Sequence, residues 1–239
     1  MKTLIVGCSF CRKLDYQFPD QWQIDPNIVV RATSGTGNQA IAARVFYECS
    51  RNDYDRVIVV WTGVNRLDTV ITRELHDTYP GAWEGNPAYS FCTPLEGSVW
   101  YHSGGQAGSW TWDNTCPTDI RQIFKTQYLG ADSRYLTDNS LLSIVNVQGF
   151  LEKSHIDYQM SFIYDPFADH SQTPHEHHFG TINKNSPYYR LVDWTKINTN
   201  CTAFEWSIQH SALESDKLHP TRDAMREWIN LAFDIDIAE

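Results

Sequence analysis

The chain has 239 residues, a formal net charge of −10 and a pI near 5.3, a balance that argues against a nucleic-acid or anionic-membrane surface as its partner. The length suits a single α/β domain over residues 1–239 with room for a full core. One lysine and four apolar or small residues precede Gly7, too few for a signal-peptide core, and no stretch approaches a membrane span, so the expected location is the cytoplasm or release without a Sec signal.

Residues Thr3 to Val6 are β-branched or aliphatic and read as a short strand buried on both faces, ended by Gly7 in Gly7-Cys8-Ser9-Phe10-Cys11. Residues 15–27, with Pro19 and Pro26, read as an irregular link. Ile28 to Val30 is a second strand, running into the small-residue turn Ala32-Thr33-Ser34-Gly35-Thr36-Gly37-Asn38. Asn38 is placed to cap a helix whose apolar face holds Ile41, Val45 and Phe46. Arg56 to Trp61 is the clearest strand, ended by Thr62-Gly63-Val64-Asn65-Arg66. Strands that alternate with helix and end in Gly-containing turns predict a parallel sheet.

From about residue 67 to 130 the pattern is lost among prolines and aromatic, Gly-rich text, and the stretch reads as an inserted lid or cap with a short helix from Thr118 to Leu129. Thr137 is placed to cap a helix through Lys153, followed by a strand from Tyr158 to Tyr164 and a loop from Asp165 to Pro187. A weak fifth strand is expected within Thr202 to Ile208. Thr221 then caps a terminal helix with Met225, Trp228, Ile229 and Ala232 on one face.

Ser9 falls at the carboxyl end of a central strand, where open α/β sheets build their sites, and is a candidate nucleophile. Asp216 and His219 lie three residues apart before a helix, a spacing that folds a carboxylate back onto the imidazole Nδ1 and leaves Nε2 to accept a proton. Gly35 lets a backbone N–H approach a ligand, and the Asn65 amide offers a donor without charge; both suit a tetrahedral oxyanion.

Ser9 after the first strand, Gly35 after the second, Asn65 in Gly63-Val64-Asn65 and His219 in Asp216-Lys217-Leu218-His219 together resemble the four blocks of the SGNH (GDSL-like) hydrolases, in the family's order, over residues 2–66 and 214–233. The resemblance implies a flavodoxin-like three-layer α/β/α sandwich. It also implies Ser9 as nucleophile, His219 as base and Asp216 as its orienting acid, with an oxyanion hole of the Ser9 N–H, the Gly35 N–H and the Asn65 side chain. Two positions depart from the family: Cys8 replaces the aspartate of Gly-Asp-Ser, and Arg66 replaces the aspartate of Gly-x-Asn-Asp. Arg66 is open to two readings, contact with a substrate carboxylate or phosphate and pairing with a nearby acid.

The resulting expectation is a serine esterase that needs no metal or organic cofactor and cleaves a short acyl group, such as acetyl, from a carbohydrate. The aromatic insert, with Trp100, Trp110 and Trp112, serves either as a stacking surface for sugar rings or as its own small core. The partner is thus a small-molecule or glycan ester, with no nucleic acid and no membrane. Two other classes compete. A carbohydrate-binding module on a catalytically degenerate fold would bind without turnover, and Cys8-Ser9-Phe10-Cys11 is the C-x-x-C of a thiol oxidoreductase. The six cysteines are otherwise too scattered for a disulfide framework. The run His175-Glu176-His177-His178 reads as a metal-binding group or a solvated loop.

Overall fold

The computed structural model describes residues 1–12, 27–33, 35–72, 74, 92–95, 98–102, 122–123, 126–127, 133–169, 180–215 and 219–237. Its centre is a parallel sheet of five strands: β1 (Thr3–Gly7), β2 (Ile28–Ala32), β3 (Arg56–Trp61), β7 (Asp157–Phe162) and β8 (Ile197–Asn198). Across the sheet they run β2-β1-β3-β7-β8, every neighbouring pair parallel. Counted within this sheet alone, the order is 2-1-3-4-5, compatible with a flavodoxin-like fold.

Alternation along the strands divides the core into two layers. Leu4, Val6, Val57, Val59 and Trp61 face the side covered by α2 (Asn38–Cys49) and α3 (Ser133–Lys153), against Ile41, Val45, Ile144 and Leu151. Ile5, Ile58 and Val60 face the opposite side, against α4 (Ala203–Gln209) and α5 (Arg222–Phe233), where Phe204, Trp206, Met225, Trp228 and Ile229 pack. Residues i and i+1 on a strand point to opposite faces, so a strand rich in Val and Ile throughout must be covered twice. All six residues of β3 are buried. Burying each large apolar side chain contributes about 1.5–3 kcal/mol, enough to hold the sheet's centre in one register.

Three expectations are corrected. Part of the irregular stretch is a second sheet, antiparallel, of β4 (Asp68–Thr72), β5 (Cys92–Leu95) and β6 (Ser98–His102) in the order β4-β6-β5. Pro94 disguised it, yet β5 is an edge strand, where a residue without an N–H is tolerated. Most of the remaining 67–130 stretch, and with it the lid, lies outside the described residues, as does most of the helix placed from Thr118 to Leu129. The segment read as a fifth strand is helix α4, and the fifth strand is the two-residue β8, too short to show a periodicity. Helix α3 begins at Ser133 rather than after Thr137, whose hydroxyl donates instead to the Thr181 carbonyl (3.4 Å). Among the described residues no helix is long and apolar enough to cross a membrane.

Candidate active site

The edge of the sheet that carries the site is its carboxyl end, where the chain leaves β1 for β2 on one side and later β3 on the other. Ser9 opens α1 (Ser9–Arg12), a single turn that follows β1 after Cys8. The turn sits close over its own strand: a Cβ at Gly7 would lie 2.5 Å from Cys11 Sγ and 3.2 Å from the Val60 carbonyl oxygen. Gly7→Ala is therefore expected to cost about 2 kcal/mol by overpacking, and Cys11→Ala in the same chain to recover part of it. Chemical denaturation of the two single variants and the double one measures the coupling; strictly additive losses would show that the contact carries none of the cost.

Within this frame, His219 Nε2 lies 3.1 Å from Ser9 Oγ, across 210 residues of sequence. That distance allows the hydroxyl to donate to Nε2 when the ring's proton is on Nδ1. Both residues are half-buried. The His219 ring packs against Phe10, with ring centres 5.3 Å apart and planes at 56°. Phe10 is fully buried, so the residue next to the candidate nucleophile anchors the candidate base.

The backbone of His219 is pinned by a narrow antiparallel loop. Leu213 and Pro220 form a bridge, the Glu214 N–H donates to the His219 carbonyl (2.8 Å), and the Thr221 N–H donates to the Ala212 carbonyl (2.8 Å). Thr221 then caps α5, as its position predicted, its hydroxyl accepting from the Ala224 N–H at 3.3 Å. Asp216 lies outside the described residues.

Gly35 follows β2 with φ +75°, a left-handed backbone that glycine adopts without cost, and it is buried. Asn65 follows β3 in a turn closed by the Arg66 N–H donating to the Gly63 carbonyl (3.3 Å). Helix α3 holds that turn from behind through the Ser140 hydroxyl, which donates to the Val64 carbonyl at 3.2 Å. Gly180, at φ +69°, presses its backbone against the other side: a Cβ there would meet Asn65 Cβ at 3.0 Å and Asn65 N at 3.1 Å. Ser9, Gly35 and Asn65 thus leave the carboxyl ends of three adjacent strands, and Ser9 and His219 are in contact.

Asp68 and Tyr164, which help build this edge, were not singled out from the sequence, and Asn38 was expected in another role. Asn38 does not cap α2; it is the helix's first residue, and its side chain bridges to Thr62, accepting from the Thr62 N–H (2.9 Å) and donating to the Thr62 carbonyl (3.3 Å). The cap comes from Asp68 on β4, whose carboxylate accepts from the Gly37 N–H and the Ala40 N–H, each at 2.9 Å. A carboxylate three residues after Asn65 was the available signal, but nothing in the sequence pairs it with a helix thirty positions earlier.

Arg66 is 7% exposed. Its guanidinium donates to the Thr36 carbonyl (3.3 Å) and the Tyr164 hydroxyl (3.4 Å), and among the described residues it forms no ion pair with an acid. Among the described residues the acid that one sequence reading would pair with Arg66 is not found. Burial raises the Tyr164 hydroxyl's pKa above its ordinary value against the lowering effect of the Arg66 charge, so the tyrosine stays neutral.

The cysteine pair has the wrong surroundings for redox chemistry. Cys8 and Cys11 are free thiols with no exposed surface. Burial pushes the Cys11 thiol well above its ordinary pKa, Cys8 adding to the shift, whereas an exchanging dithiol needs an accessible thiol with a lowered one. The backbone of Trp100 lies in β6, opposite Val70 and Thr93. Its side chain, together with Trp110, Trp112 and the run His175 to His178, lies outside the described residues.

Comparison of the chain with protein-family models, with curated proteins and with solved structures gives no match in any of the three.

Proposed function

We propose that the chain is a serine esterase of the SGNH type, working through an acyl-enzyme. The observation that carries this reading is the 3.1 Å approach of Ser9 Oγ to His219 Nε2 at the carboxyl edge of a parallel sheet. Two polar side chains so far apart in sequence meet there on separately anchored backbones, which is what an activated nucleophile needs.

In the proposed reaction Ser9 Oγ attacks the acyl carbonyl carbon while His219 Nε2 takes the hydroxyl proton. The oxyanion is held by the Ser9 and Gly35 N–H groups and the Asn65 amide, three neutral donors that need no reorganisation as charge develops. His219 then returns its proton to the departing alcohol. A water activated by the same nitrogen attacks the acyl carbon, and collapse of the second oxyanion frees Ser9. Asp216 is assigned the orienting of Nδ1, which supports the tautomer the first step requires. The preferred substrate is a short acyl ester of a carbohydrate, a choice supported by Trp100, Trp110 and Trp112 in the insert's sequence.

The test is covalent labelling. A fluorophosphonate probe is expected to modify the wild-type chain once, on the peptide containing Ser9, with mass spectrometry reading the site. Hydrolysis of p-nitrophenyl acetate is expected to stop as the label accumulates. A folded protein that takes no label, or takes it on another residue while hydrolysis continues, would refute the assignment.

A further inference from the structure

Two of the three segments assigned to the oxyanion hole are stitched together from one side. The run after Asn65 sends two charged side chains back onto the run after Gly35. Arg66 donates to the Thr36 carbonyl (3.3 Å), and Asp68 accepts from the Gly37 and Ala40 N–H groups (2.9 Å each). The cation therefore takes the carbonyl, and the anion the N–H, of the single peptide unit that joins Thr36 to Gly37, the anion also taking the Ala40 N–H. Thr36, Gly37, Arg66 and Asp68 are all buried, so these bonds are made away from competing water.

Arg66 also reaches towards the nucleophile. Its other nitrogen donates to Tyr164, whose ring meets Phe10 edge-on at 5.7 Å, and Phe10 is the residue that packs against His219. Among the described residues the buried Arg66 Nε has no acceptor, a cost that a neutral side chain would avoid. The planar guanidinium suits the place because two terminal nitrogens in a fixed fork reach acceptors on different segments, whereas an ammonium must reach both from a single nitrogen on a flexible stem.

We infer that Arg66 is a positioning residue for the oxyanion hole: by holding the Thr36 carbonyl and the Tyr164 hydroxyl at once, it fixes the Gly35 N–H relative to the Asn65 amide. This rests on the esterase reading above. Buried behind the two turns, Arg66 does not touch substrate; it acts through the donors it holds. The consequence is specific. Loosening the donors should weaken binding of a tetrahedral anion and spare binding of the planar ester.

Arg66→Gln and Arg66→Lys are the variants, each first checked by circular dichroism and thermal melting, and a phenylboronic acid, which forms a tetrahedral anion on an active serine, is the probe. For Arg66→Gln, kcat with p-nitrophenyl acetate and boronate affinity are each expected to fall about 100-fold, with KM within about threefold of wild type. Arg66→Lys, with the charge kept and the fork lost, is expected to fall about tenfold in both. If Arg66→Gln does not fold, Arg66→Lys carries the test alone. Wild-type kcat and boronate affinity in either folded variant would overturn the inference, as would a rise in KM with kcat unchanged, since that is lost ground-state binding. Wild-type protein that neither hydrolyses the ester nor takes the fluorophosphonate is a different result: it removes the esterase reading itself, and the inference with it.

Discussion

Ser9→Ala is expected to lower kcat for p-nitrophenyl acetate by at least about 1,000-fold and to abolish fluorophosphonate labelling, with the fold unchanged. Without Oγ there is no acyl-enzyme, and only the residual effect of bound, oriented water and the oxyanion donors remains. The loss of stability should be small. Ser9 is half-buried, and its hydroxyl meets His219 Nε2 at 3.1 Å and, more weakly, Cys8 Sγ at 4.0 Å, so the deletion removes one full hydrogen bond and a long contact to sulfur, about 1 kcal/mol. Melting temperature and activity are thereby separated in one experiment. His219→Ala should fall almost as far, and the double variant hardly further, because the two groups act as a unit. Multiplying losses would instead mean that serine and histidine work independently, and the 3.1 Å contact would then carry no mechanism.

The largest stability effect is expected at a residue with no proposed contact to substrate. Asp68→Ala removes the acceptor for two buried backbone N–H groups, those of Gly37 and Ala40, at the start of α2. Gly37 has no side chain to replace it, and the helix makes no other side-chain cap. Leaving buried donors unpaired costs more than the bonds themselves contribute, so the loss should be about 3 kcal/mol, or about 6–12 °C in Tm for a chain of this size. Asp68→Asn keeps the shape but turns an amide N–H towards one of the two donors, and should fall between Asp68→Ala and wild type. Differential scanning calorimetry decides it: an Asp68→Ala variant that melts with the wild type would mean that water caps the helix equally well.

The central strands and the two site residues in contact were legible for local reasons. Thr3 to Val6 and Val57 to Val60 are apolar runs too short for helices and lacking turn formers, and both are buried strands. The terminal helix declared itself through Thr221 and the spacing of Met225, Trp228 and Ile229, all three fully buried. The failures share one cause. β8 contributes two residues and is a strand only because β7 lies beside it. β5 and β6 carry their pattern in cross-strand pairs such as Pro94 with Val99, which no single run displays. For α4, the seven residues from Ala203 to Gln209 lie below the length at which helical spacing outweighs the β-preference of Phe, Trp and Ile.

The site divides along the same line. The sequence by itself determined which residue types stand after each strand: a serine, a glycine, an asparagine, and a histidine before the last helix. Those are local facts, because a strand end, a turn and a cap each depend on a few neighbouring residues. Only the tertiary structure decided that Ser9 and His219 meet, that Asp68 rather than Asn38 caps α2, and that Arg66 is buried against Thr36 and Tyr164. Each of those contacts joins residues from 28 to 210 positions apart. Such pairings are set by which helix covers which face of the sheet, and that follows from the joint burial of many apolar side chains rather than from any motif.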